Sequence, residues 1–321
     1  MIAFLLHGTT LTLACFLTVN FLLSGLVVWI ARREPRTNAP GFWFALRLLP
    51  AISAAAFASI VFAPSYWRYE PRDYMEGFDV TLTASAIVAL VVLGAGAVRG
   101  VSAWARAKRR ARLWMQTARP IDLGTPGVPA FLVEIEAPIL ALVGLWHPRL
   151  LVTRGLIDAL TEEELAASVA HELGHACGWD NFKRLAMGAA PDLLTLTATA
   201  RALERRWASA AEHAADRMCG VATSESRCAL ASALVKVARL TPPAPALLAE
   251  PISTLIGGGE IASRVQVLLD DRRGPSVRWP RSRRYVQRLT VAIALGAFAA
   301  AYGPLLRAVH ELTEIVVRSL P

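Results

Sequence analysis

Residues 80–98 read VTLTASAIVALVVLGAGAV, without a single charge. As a helix, nineteen residues cover about 29 Å at 1.5 Å each, close to the ~30 Å hydrocarbon thickness of a bilayer. Three more stretches are long and nearly uncharged: residues 9–30, 42–63 and 289–306. They raise the apolar share of the 321-residue chain to 55%, above the ~45–50% of a soluble domain. Four transmembrane helices are therefore expected. The second is the weakest, since it holds Arg47 and Pro50. Arg47 lies near one end, where a long cation can snorkel to the headgroups. The first stretch lacks a basic leader and is followed by ARREPR, so it reads as a span rather than a cleaved signal.

Charge orients these spans. Basic residues crowd the segment after the first span, the run RGVSAWARAKRRAR after the third, and RWPRSRRYVQR before the fourth. The segment between the second and third is acidic on balance. Basic loops stay in the cytoplasm. The N-terminus is then outside and residues 99–288 are cytoplasmic, in the inner membrane of the cell. The net charge of +9 sits beside the spans, where anionic lipid accounts for it, so no nucleic-acid partner is expected. Cys15, Cys177, Cys219 and Cys228 show no paired spacing and read as free thiols.

The expected domains are 1–100 (three spans), 101–288 (a cytoplasmic domain) and 289–321 (the fourth span and a short tail). Residues 101–116 read as a basic helix leaving the membrane. ARPIDLGTPGVP breaks the chain. Branched apolar runs punctuated by Pro138 and Pro148 then predict strands near 130–135, 139–145 and 150–153. Thr161 followed by Glu164 is a capping box that opens a helix, and Gly178 is a plausible stop. A second helix is expected over 193–221, and a short one around EIASRVQVLLDD.

The first of these helices carries HELGH, residues 171–175. Residues four apart on a helix differ by about 40° in direction, so His171 and His175 face the same way and can share one zinc ion. Glu172 is turned about 100° away, beside the metal rather than on it, where it can serve as general base to a zinc-activated water. Gly174 leaves room for a close neighbour. Three residues are candidates for the third ligand. Asn181 has the spacing of an HExxHxxGxxH site but is a poor zinc ligand. His213 is a better donor. Glu212 stands four before Asp216, so both face one way; Glu212 can close the site while Asp216 holds a ligand histidine. Nearby alanines at 208, 210, 211, 214 and 215 let the two helices pack closely.

HExxH on one helix and ExxxD on the next resembles the gluzincin integral-membrane zinc metallopeptidases. The arrangement is most similar to the beta-lactam-sensing antirepressor proteases of the BlaR/MecR type, with three spans before the peptidase region and one after it. The penicillin-binding sensor domain of those proteins is not expected here. The resemblance implies an α-helical membrane protein with an α+β zincin-like metallopeptidase domain. It implies zinc on His171, His175 and Glu212, catalysis by Glu172, and Asp216 as the acid of the second motif. The substrate would be a cytoplasmic or membrane-adjacent protein or peptide. A signal-transducing membrane protein whose zinc domain binds a repressor-type partner without cleaving it is the alternative. The sequence names no oligomeric state and no oxyanion-stabilising residue; Arg264 and His213 are polar neighbours only.

Overall fold

The computed structural model describes residues 1–33, 37–72, 80–218, 223–240, 261–270 and 297–315. Among them, three helices are long and apolar enough to cross a membrane. The first is α1 (Ile2–Arg32). The second is a continuous rod of α2 (Pro40–Ala56), a π-helical turn (Phe57–Phe62) and α3 (Ala63–Tyr69). The third is α4 (Val80–Thr117). Phe21, Leu22, Ile87 and Val91 stand more than half exposed on the outer faces of these helices. Residues 289–296 of the expected fourth span lie outside the described residues; 297–315 is helical.

That last helix is tied to the second rod. Pro64 cannot donate to the carbonyl of Ile60, four residues back. The Tyr302 hydroxyl donates to that carbonyl at 2.7 Å, and Ser65 Oγ donates to the carbonyl of Leu306 at 2.6 Å.

α4 runs without a break from the apolar stretch through the basic one. Ala111, Trp114 and Met115 near its end pack on one face of a small sheet, against Val133, Val143 and Leu151. The sheet holds β1 (Arg119–Ile121), β2 (Ala130–Val133), β3 (Leu140–Val143) and β4 (Arg149–Thr153), in the order β1-β2-β4-β3. β2 and β4 are parallel; the outer pairs are antiparallel. Of the three expected strands, the first two are shortened and the third begins one residue earlier. β1 was not expected, because it falls in the Pro- and Gly-rich break. Gly144 ends β3 at φ +102°, where a Cβ would lie 2.6 Å from the carbonyl oxygen of His147.

On the sheet's other face lie α5 (Arg154–Ala159), α6 (Glu162–Gly178), α9 (Ser224–Leu240) and α10 (Ile261–Leu269), around a core that includes Leu140, Leu150, Val152, Leu230 and Leu234. Between α6 and α9 in the chain come α7 (Asp180–Ala189), a 3₁₀ turn (Leu193–Leu196) and α8 (Ala198–Met218). The expected second helix thus begins as a 3₁₀ turn and restarts at Ala198; its last residues, 219–221, lie outside the described ones. α7 and α9 were not anticipated.

A second core joins the spans to α7 and α8. It includes Val27, Trp43, Leu46, Met187, Leu194, Leu203 and Trp207. The loop before α8 is pinned by Asn20, a fully buried amide of α1, which donates to the carbonyl of Pro191 and accepts from the N–H of Leu193. Gly96 of α4 admits this loop, since a Cβ there would lie 2.8 Å from the carbonyl oxygen of Ala189. Arg47 corrects the sequence reading: it does not snorkel. It is 1% exposed and bonds Asp192 at 2.7 Å, Glu204 at 2.9 Å and the carbonyl of Met187 at 3.0 Å. The spans therefore hold in place the start of α8.

Candidate metal centre

α6 forms as its cap dictates. The Thr161 side chain accepts from the N–H of Glu164, and the Glu164 carboxylate accepts from the N–H of Thr161. Glu164 also accepts from Ser232 and Lys236 of α9, which locks the two helices together. Further along α6, His171 and Glu172 are fully buried and His175 nearly so. Gly174 faces α8, where a Cβ would lie 2.8 Å from the Cα of Ala215. With Ala211 and Ala215 buried opposite, the two helices approach closely enough to bring Glu212 over the histidines.

The three donors converge. The Nε2 atoms of His171 and His175 are 3.2 Å apart. Glu212 lies 3.4 Å from His171 Nε2 and 3.6 Å from His175 Nε2. Ligands of a tetrahedral zinc with bonds of 2.0–2.1 Å stand about 3.4 Å from one another, so two imidazoles and a carboxylate at these separations fit that ion. Among the described residues His213 is not part of this group. Asn181 is not either: its amide donates to the carbonyls of Leu142 and Gly144, at the end of β3.

Each imidazole is held from behind. Asp216 lies 2.7 Å from His171 Nδ1, and Asp180 lies 2.7 Å from His175 Nδ1. Such contacts orient the rings and point Nε2 inward. The sequence reading missed Asp180. It reaches His175 because Trp179 takes the left-handed conformation at the end of α6. Gly178 leaves room for its carboxylate, at 2.9 Å from where a Cβ would stand. Arg264 of α10 bonds both oxygens of Asp216, at 2.8 and 3.3 Å, and Glu212 at 3.0 Å. Its guanidinium thus braces the two acids of α8.

These charges set the protonation of the metal-free site. Burial opposes a charge on His175, but Asp180 and Glu212 outweigh it and push the pKa up to about 10. Burial likewise opposes a charge on His171, and Asp216 and Glu212 still raise its pKa. Burial favours the neutral acid at Glu212, yet His171, His175 and Arg264 hold it well below the usual carboxylate range. Metal-free His175 is then protonated at neutral pH, and a metal must displace that proton. Because the folded pKa is raised, the stabilisation is full below the unfolded value of 6.5 and is lost as pH rises through about 10. Two results are expected: the metal-free protein unfolds more readily at pH 10 than at pH 7, and zinc uptake at pH 7 releases protons into weak buffer. Uptake without proton release would contradict this charge assignment.

Fold and site together define a mostly helical protein with three helices long and apolar enough to cross a membrane, and a His-His-Glu group that could hold a metal ion on a small α+β unit. Residues 105–245 match the family model of Peptidase family M48. The match covers the sheet, HELGH and the acids of α8. It supports a zinc metallopeptidase acting on protein substrates. A comparison with curated proteins finds no match.

Proposed function

We propose that this protein is a membrane-embedded zinc endopeptidase that hydrolyses cytoplasmic or membrane-adjacent proteins. One observation carries the reading most: the side-chain donors of His171, His175 and Glu212 all lie within 4.8 Å of one another, with Glu172 fully buried beside them. In this reading His171, His175 and Glu212 hold the metal. Bound zinc supplies a Lewis acid that polarises a carbonyl and lowers the pKa of water towards ~7. Glu172 takes the proton of the attacking water and passes it to the leaving amine. Asp216 and Asp180 hold the two imidazoles in one tautomer, and the histidines together with Arg264 keep both acids of α8 ionised. The span layout resembles that of the antirepressor proteases, so a repressor-type protein is one substrate class.

The basic flanks support a topology with the N-terminus outside, residues 1–100 as three spans, 101–288 in the cytoplasm and a fourth span within 289–321. Cys177 and Cys228 are exposed on the peptidase region. A membrane-impermeant thiol reagent added to sealed cells is expected to leave both unlabelled; labelling of either would reverse the orientation.

Metal analysis and casein cleavage test the site. The purified protein is expected to cleave casein, lose activity to a chelator and regain it with zinc. At the HELGH site, His175→Ala should lose most of the zinc held there, and Glu212→Ala should bind it much more weakly. Full zinc and full activity in Glu212→Ala would move the third ligand elsewhere, with His213 the nearest imidazole in sequence.

A further inference from the structure

The second rod carries one end of a second donor cluster. Glu70 follows its last residue, Tyr69, as the helix cap. Arg47, near the rod's other end, reaches into the peptidase region. Twenty-three residues at 1.5 Å each put about 35 Å between Arg47 and Glu70, more than the ~30 Å hydrocarbon core. Glu70 therefore sits at the membrane face opposite the HELGH site. There it meets His310 and Glu314 of the helix 297–315, and one donor atom from each of the three lies within 4.8 Å of the others.

Several features make this more than a group of acids. His310 and Glu314 are four apart on one helix, so they face the same way. A carboxylate at the cap of the neighbouring rod closes the set, much as Glu212 does for His171 and His175. His310 Nδ1 is 3.8 Å from Glu70 Oε2, and both side chains are partly buried. The His310 ring stacks on Tyr69, with centroids 5.7 Å apart, which fixes its place. The two helices are clamped by the bonds of Ser65 to Leu306 and Tyr302 to Ile60, so the donors do not depend on loops for their position. Two carboxylates and a neutral imidazole carry a charge of −2 and balance a divalent cation. The imidazole favours zinc-type ions over magnesium or calcium. Closing the donors to the roughly 3.4 Å spacing of a tetrahedral ion takes a rotation of Glu314 or Glu70, both flexible at their ends.

We infer that Glu70, His310 and Glu314 form a second divalent-metal site, of zinc type, at the membrane face opposite the HELGH site. Three protein ligands leave a fourth position for water.

The test is zinc content of the full-length protein in detergent, after loading with zinc and dialysis against zinc-free buffer. Relative to wild type, His310→Ala and Glu314→Gln are each expected to lose about one zinc per chain. The same loss is expected in a Glu212→Ala background, which separates this site from the HELGH site whether or not the latter binds metal. His310→Cys, which restores a zinc ligand, should recover the ion, whereas a folding defect would not be repaired by it. Zinc content unchanged by His310→Ala, or lost equally in His310→Ala and His310→Cys, would overturn the inference.

Discussion

Glu172→Gln is expected to lower kcat by about 10²–10⁴-fold while the protein keeps its fold and its zinc. Glutamine has nearly the same shape and fills the same fully buried position. It cannot take a proton from water at neutral pH. The loss should fall mainly in kcat, because in the proposed mechanism the side chain acts on the water and not on the flanks of the substrate. A second effect accompanies it. The negative charge of Glu172 contributes to the raised pKa of His175, so the metal-free variant should release its proton at a slightly lower pH. The comparison is of rates at matched zinc content. Equal rates would leave HELGH as a metal site without catalysis, and the partner-binding alternative would replace the peptidase.

Arg47→Met is expected to destabilise the protein by about 3–5 kcal/mol, because it strands a buried acid. The side chain of Asp192 is fully buried against Arg47, whereas Glu204 retains access to water. Methionine fills much of the volume but leaves the Asp192 charge without its partner. Pairing Arg47→Met with Asp192→Asn should recover much of the loss. The neutral amide can still accept from Thr195, which Asp192 caps at the start of the 3₁₀ turn. Unfolding in detergent, followed by loss of helical signal, gives the comparison. A single variant within about 1 kcal/mol of wild type would mean that water reaches Asp192 and the pair is not sealed. Because α8 begins beside this pair, the single variant should also bind zinc less tightly at Glu212, whereas Glu172→Gln should not.

The parts of the site legible in the sequence are those set by short spacing. A capping box four residues long starts α6, and a four-residue step puts His171 and His175 on one side of it. The same step puts Glu212 and Asp216 on one side of α8. Uninterrupted apolar length marked three of the four expected spans as helices long and apolar enough to cross a membrane, since a bilayer imposes one length on every helix that crosses it; part of the fourth lies outside the described residues. Three of the four strands were found by their branched residues, with ends off by one or two, because hydrogen-bond pairing and not composition ends a strand.

Other features required the chain to be folded. Arg47 reads as a snorkelling cation until its partners arrive from 145 and 157 residues away. Asp180 is close in sequence to His175, but only the left-handed turn at Trp179 points it back at the ring. Asn181 has the spacing of a ligand in one zinc motif, and the same turn sends it to β3 instead. Arg264 braces Asp216 from 48 residues downstream. Local periodicity dictates which residues share a helix face, because the backbone repeat is the same in every helix. Which faces meet depends on packing between distant segments, and here Gly174 against Ala215 and Gly96 against the Pro191 loop decide it by how closely they let the backbones approach.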